Sequence, residues 1–188
     1  TAVGIGTDKA VSPLNIYGAT KLIMEKLFTS ANNYLDKSRY KTKFIALRYG
    51  NVLGSSGSVA PKFIKQIQMK QKITITDNEM TRFSLTMNEA LDFILEATNI
   101  GKGSEVFVPK LKAYSIGNLK ESIIELLENT GEEKISVRAG EKMHEVMINS
   151  DEIQHTWEIG NKYIIFNPLK DSNEIMRDYS KIKKAQFS

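Results

Sequence analysis

Tyr17 and Lys21 stand four residues apart in the run Thr7-Asp8-Lys9-Ala10-Val11-Ser12-Pro13-Leu14-Asn15-Ile16-Tyr17-Gly18-Ala19-Thr20-Lys21. On a helix that spacing puts both side chains on one face, with an ammonium beside a phenol. A free tyrosine titrates near pH ~10 and is a poor base at neutral pH. A neighbouring cation favours the phenolate and brings it toward the working range. The pair therefore suits removal of a proton from a hydroxyl. Alone, Tyr-x-x-x-Lys also arises by chance on amphipathic helices. Thr7, Asp8 and Lys9, just upstream, add a hydroxyl and two adjacent groups of opposite charge. Without further motifs, this stretch would read as a capped helix start with a surface ion pair.

Further motifs follow in order. Arg48-Tyr49-Gly50-Asn51 ends an apolar run and opens a Gly/Ser-rich loop over 50–58, a usual setting for ligand contacts. Gly57-Ser58-Val59 then leads into a helical pattern, and the free N–H groups at a helix start favour anions. Arg82 and Arg138 carry planar forks of donors suited to phosphate oxygens, and Glu141 follows Arg138 closely. Taken singly, each charged residue reads as half of a surface ion pair. His144 and His155 lack partners at metal-ligand spacing: His144-Glu145 is followed by Ile148 where His-Glu-x-x-His needs histidine, so no metal site is expected.

Together these segments resemble the extended short-chain dehydrogenase/reductases that modify nucleotide sugars. The Thr-Asp-Lys element ten residues before the tyrosine narrows the resemblance to the C5-inverting UDP-N-acetylglucosamine 4,6-dehydratases of the polysaccharide-biosynthesis family. Arg48 through Val52 with Gly54 through Pro61, Ile75-Thr76-Asp77 with Met80 through Phe83, and Arg138 with Gly140 through Lys142 and His144-Glu145 fit it in order. The resemblance covers about residues 1–150. In the membrane-bound, C5-retaining relatives the position of Tyr17 is typically methionine, so tyrosine favours the soluble, inverting branch. Gly6, Ser12, Ser56 and Ala139 stand where relatives often have serine, asparagine, a basic residue and proline.

The resemblance implies that Tyr17 takes the proton from the sugar 4-hydroxyl while hydride leaves C4 for NADP or NAD. Lys21 would hold the nicotinamide ribose, and Thr7 would hydrogen-bond near the reacting oxygen. Asp8 and Lys9 would serve proton exchange and loss of water across C5 and C6, with their division of labour open. Arg48, Asn51, Ser58 and Val59 would contact the UDP-sugar. Arg82, and Arg138 with Glu141, would contact the diphosphate and ribose. Such enzymes begin with a βαβ unit whose glycine-rich turn cradles the cofactor pyrophosphate. No such turn occurs here, and Gly101-Lys102-Gly103 reads as a helix end. The expectation is the C-terminal part of a longer, homo-oligomeric enzyme whose cofactor is bound mainly by residues outside this chain. The part alone is expected to be inactive.

The elements that must hold these residues are legible as patterns. A strand is expected at 1–7 and a helix from Asn15 to about Asp36, with Ile16, Ala19, Leu22, Ile23, Leu27, Ala31, Tyr34 and Leu35 marking one buried face. A strand over 42–49 follows, then helices near 59–70, 86–99 and 115–129. Short strands are expected near 73–76, 104–108 and 134–137. Trp157 to Phe166 reads as a hairpin with a Gly160-Asn161 turn, and the tail beyond Pro168 is polar and poorly patterned. The fold class is α/β, a Rossmann-like parallel sheet with a smaller α/β substrate lobe. The expected division is 1–58 for the catalytic part, 59–150 for the UDP-sugar lobe, and 151–188 for the hairpin and tail.

Composition limits the alternatives. At 188 residues and 41% hydrophobic, the chain can build a real core. It has no apolar run of about 18 residues and no signal-peptide pattern, so no membrane partner is expected. Zero cysteines exclude disulfides and agree with a cytoplasmic location. A net charge of +4, spread along the chain apart from Lys181, Lys183 and Lys184, suits anionic small molecules better than nucleic acid. The rival readings are a UDP-sugar 4-epimerase, which lacks the Asp-Lys pair beside its threonine, and a non-catalytic UDP-binding fragment.

Overall fold

In the computed structural model, which describes residues 1–36 and 38–187, the chain begins with β1 (Ala2–Ile5), a 3-10 turn at Asp8–Ala10, α1 (Ile16–Tyr34) and β2 (Phe44–Leu47). It continues through β3 (Asn51–Val52), α2 (Val59–Gln68), β4 (Ile73–Ile75), β5 (Thr81–Leu85) and α3 (Met87–Ile100). Next come β6 (Val106–Pro109), β7 (Ala113–Ser115), α4 (Ile116–Leu126) and β8 (Glu132–Lys134). The last elements are α5 (Ser150–Ile153), β9 (Thr156–Ile159), β10 (Lys162–Ile165), α6 (Ser172–Asp178) and β11 (Lys183–Lys184). Two units emerge: one from Thr1–Tyr49, Leu91–Lys110 and the chain from Val146 onward, the other from Gly50–Ala90 and Leu111–Glu145. The chain thus crosses between units four times, and these units cut across the contiguous division 1–58, 59–150 and 151–188.

The first unit is built on one sheet with strand order β1-β2-β6-β10-β9-β11. β1, β2 and β6 run parallel, with Val3 opposite Ile45 and Leu47 opposite Phe107. β10, β9 and β11 complete it antiparallel. Parallel neighbours need a crossover rather than a hairpin, and α1 is the crossover from β1 to β2. Ile45, Leu47, Phe107 and Ile164 are fully buried, together with Phe93 and Ala97 of α3 and with Trp157, Phe166, Ile175 and Tyr179. This core makes the unit α/β and Rossmann-like. β9 and β10 form the expected hairpin, and Gly160 takes the positive φ of +56° that its tight turn demands.

The second unit has a separate core. Phe63 and Ile67 of α2 meet Ile73, Ile75, Met80, and Ile116 and Ile123 of α4. Burial of each such side chain contributes about 1.5–3 kcal/mol. β3, β5 and β7 form a small mixed sheet, and β4 pairs with β8 in parallel. β8 lies at Glu132–Lys134, ahead of the expected 134–137, because its register is set by Ile73 opposite Glu132 rather than by its own exposed side chains. β3, β5, β7, α5, α6 and β11 were not anticipated.

One expectation about α1 is corrected. Ile16, Ile23, Leu27 and Tyr34 are 83%, 59%, 63% and 87% exposed, so the apolar positions are not one buried face. Within α1 only Gly18 and Glu25 are buried. The helix meets β1 through Met24 and Phe28, which close on the bare Gly4.

Candidate active site

β1 and β2 keep bonding beyond their formal ends. The Gly6 N–H donates to the Leu47 carbonyl at 2.7 Å, and the Asp8 N–H to the Tyr49 carbonyl at 3.1 Å. A Cβ on Gly6 would lie 2.5 Å from the Leu47 oxygen, so the serine common in relatives does not fit this spacing. The turn that follows is thereby fixed to the sheet. Thr7 caps it, its Oγ1 accepting from the Lys9 N–H at 3.4 Å and donating to Asp8 Oδ1 at 2.9 Å. Lys9 Nζ reaches the same Oδ1 at 3.0 Å. Asp8 is fully buried, yet its Oδ2 has no hydrogen-bond partner. An unmet buried acceptor costs about 1–3 kcal/mol, more when charged. Thr7, Asp8 and Lys9 thus form one cluster, with Lys9 the accessible member, its side chain 32% exposed.

α1 is aimed at this cluster. Asn15 caps it by accepting the Gly18 N–H at 2.9 Å, the usual satisfaction of a free helix-start donor. Gly18 lies so close to the Lys9 carbonyl and Pro13 that no side chain fits there. Tyr17, next to it, is half exposed. Lys21 donates to the Ile5 carbonyl at 3.0 Å, which brings its ammonium to the end of β1. A lysine has three donors, and that bond uses one, so the group is chemically suited to ribose hydroxyls. Tyr49 belongs to the same neighbourhood, a residue to which sequence reasoning gave no role. Burial and then the charge of a Tyr17 phenolate push its phenol up. Its place two residues beyond the end of β2 was the available signal.

Arg48 is a correction. It was expected to contact the UDP-sugar, but it is fully buried and its five donors are all spent. Nε and Nη2 grip Glu25 at 3.0 and 2.6 Å, and Nη1 and Nη2 grip Glu152 at 2.8 Å each. The remaining Nη1 donor goes to the Met147 carbonyl at 2.9 Å. Burial works against the Arg48 charge, but hydrogen bonds and the negative charge of Glu152 and Glu25 outweigh it and hold the pKa above the usual guanidinium value. Nothing is left for a phosphate. Glu152 also closes a capping box with Asn149 at the start of α5.

In the second unit Asn51 lies on β3, opposite Ser84. Ser58 is the N-cap of α2 and Val59 its first residue. The Ser58 hydroxyl makes no cap bond and is buried without a partner. Arg82 and Glu141 meet each other at 3.0 Å instead of standing ready as separate phosphate and ribose contacts. Arg82 also donates to the Thr81 and Met143 carbonyls, and the Thr81 hydroxyl meets His144 Nδ1 at 2.9 Å. Segment 141–144 is therefore pinned to β5. Arg138 is exposed on a turn that the Glu141 N–H closes onto its carbonyl.

A cavity of about 660 Å³ in the first unit is lined by Val11, Leu22, Lys26, Glu152, His155 and Phe166, among others, but by neither Tyr17 nor Lys21. The chemistry of the tyrosine is not placed there. Among the described residues no helix is long and apolar enough to cross a membrane.

The family described as polysaccharide biosynthesis protein matches residues 1–167. A UDP-N-acetylglucosamine 4,6-dehydratase (inverting) of Campylobacter jejuni is 43% identical over 169 residues, covering 89% of this chain and 49% of that protein. A UDP-glucose 4-epimerase of Rickettsia bellii is 36% identical over 170 residues, covering 90% and 49%. The X-ray structure of Pen from Bacillus thuringiensis superposes with a TM-score of 0.83 at 43% identity, covering 89% of this chain and 53% of that one. The chain spans about half the length of the curated relatives it matches.

Proposed function

The chain belongs to the polysaccharide biosynthesis protein family, and on that premise we propose that it carries the catalytic and UDP-contacting residues of a 4,6-dehydratase that inverts C5 of UDP-N-acetylglucosamine in the cytoplasm. The observation that carries this reading is the joined cluster of Thr7, Asp8 and Lys9, against whose backbone the helix bearing Tyr17 and Lys21 rests. A nicotinamide cofactor, NADP or NAD, supplies the hydride acceptor and donor when bound. Tyr17 removes the proton from the 4-hydroxyl as C4 loses hydride. Lys21 steadies the phenolate and the ribose. The ketone at C4 acidifies the C5 proton. Lys9 and Asp8 then exchange protons at C5 and at the departing C6 hydroxyl, Lys9 being the member open to a sugar. The hydride taken from C4 would return to C6 from the bound nicotinamide, while these side chains return a proton to C5 from the opposite face. In the second unit Asn51, the start of α2 at Ser58 and Val59, and exposed Arg138 receive the nucleotide, while Arg82 holds Glu141 in place.

A 4-epimerase is the second reading, favoured by the Rickettsia relative; an acid–base pair for C5 and C6 has no task in it. The test uses the protein encoded by the full reading frame that contains these residues, given UDP-N-acetylglucosamine in heavy water. The expected product is a 4-keto-6-deoxy sugar with inverted C5 carrying one solvent deuterium. A C4 epimer without deuterium at C5 assigns the chain to the epimerases, and UDP binding without turnover makes it a binding module.

A further inference from the structure

We infer that Arg48 is a positioning residue, which sets the rotation of α1 through Glu25 and thereby the aim of Tyr17 and Lys21. This rests on the reading above for its chemical consequence, though not for its geometry. Tyr17, Lys21 and Glu25 follow at i, i+4 and i+8 and share one face of α1. Further along, Met24 and Phe28 close on Gly4 and Asn32 exchanges hydrogen bonds with the Phe44 backbone, but Glu25 is the one side chain of α1 that is fully buried, and it lies one turn beyond Lys21. Gly18 supplies contact at one end without direction, because it has no side chain. Glu25, two turns on, supplies direction.

The grip is directional because it is bidentate. Both Glu25 oxygens meet the Nε–Nη2 edge of one planar guanidinium, which fixes the carboxylate's plane as well as its distance. Arg48 itself cannot yield. Its backbone N–H bonds the Phe107 carbonyl at 2.8 Å, and it directly follows β2, whose neighbour β1 leads into the Thr7–Lys9 turn. Its other edge is held by Glu152 and by Met147. Stability alone is a poor account of this arrangement, because a buried ion pair commonly does no better than apolar residues of the same volume. The bidentate pair adds a fixed plane and direction to the apolar contacts of the helix that carries the phenol.

The test compares four variants of the full-reading-frame protein: Glu25→Gln, Glu152→Gln, Arg48→Lys, and the largely apolar triple Glu25→Leu/Arg48→Met/Glu152→Gln. Single-turnover nicotinamide reduction is measured per folded molecule, UDP affinity by calorimetry, and amide hydrogen exchange over residues 17–25 against that of β2. Glu25→Gln, Arg48→Lys and the triple variant are expected to slow reduction about 100-fold at unchanged UDP affinity, as a misplacement of about 1 Å does. Glu152→Gln, which leaves α1 its own partner, is expected to react at about the wild-type rate and to lose only stability. In the slow variants exchange over 17–25 rises while β2 stays protected. A triple variant that folds and reduces cofactor normally overturns the inference, as does an equal rate loss in Glu25→Gln and Glu152→Gln. If the wild type transfers no hydride, the dehydratase reading fails, and unchanged exchange over 17–25 in all four variants would then refute the positioning role independently.

Discussion

Asp8 and Glu25 are both fully buried carboxylates in the same unit, and they are treated in opposite ways. Glu25 has each oxygen matched to a donor of one arginine. Asp8 receives two donors on one oxygen and none on the other. Low polarity makes a satisfied buried group rigid and an unsatisfied one expensive. Glu25 therefore belongs to the frame. Asp8 is held at a cost that the frame sustains, as is usual where a site must do chemistry. Charge and burial do not separate the two residues; the count of partners does.

Three experiments probe this contrast. The largest effect is expected from Asp8→Asn, which should reduce formation of the 6-deoxy product by about 10²–10⁴-fold, the usual weight of an acid–base group. Thermal stability should hold, because the amide keeps an acceptor for Thr7. Product analysis with a melting curve checks both; normal turnover with a collapsed melting temperature would make Asp8 a second Glu25. Next comes Glu25→Leu, which breaks a buried pair from one side and should cost about 3–5 kcal/mol of stability in urea unfolding. A loss near zero would place the frame elsewhere.

The smallest effect is a dependence on acidity. Burial pushes the Glu152 carboxyl up, but the hydrogen bond and charge of Arg48, the Asn149 N–H and the charge of Lys26 pull it below the ordinary value of 4.5. A carboxylate depressed in the folded state stabilises fully above its unfolded value and loses that contribution as the pH falls through its folded one. The difference in urea midpoint between wild type and Glu152→Gln should stay constant above pH 4.5 and shrink below it. A difference that widens on acidification would reverse the sign and show Glu152 to be destabilising in its ionised form.

The first 36 residues were largely readable from sequence. An apolar run, a charged turn, Pro13 and a long helical period locate β1, the turn and α1, although only Gly4 of β1 is buried, and Gly160-Asn161 announces the hairpin. What failed was long-range or sparse. The period in α1 says which residues share faces, and exposure of Ile23 and Leu27 is decided by neighbours that the period does not name. Arg48 sat in a loop-opening motif and read as a ligand contact, because its partners lie 23 and 104 residues away. α6 was hidden in a polar tail since a seven-residue helix with Ile175 as its one buried anchor makes no period, although Asp171, its N-cap, was a local cue. β5 and β7 are recognisable mainly through each other. Membership of the family and the order of its motifs were visible throughout.

Gly18 has a consequence for how such a protein can change. At Gly18 the helix of Tyr17 lies so close to the Lys9 carbonyl and the Pro13 ring that any side chain added there would push them apart. The nucleotide contacts proposed for the second unit are, by contrast, made largely of side chains, each replaceable in single steps. Under the proposed function, single substitutions in the second unit would change which nucleotide sugar is held, whereas a side chain at position 18 would disturb the spacing on which the chemistry depends.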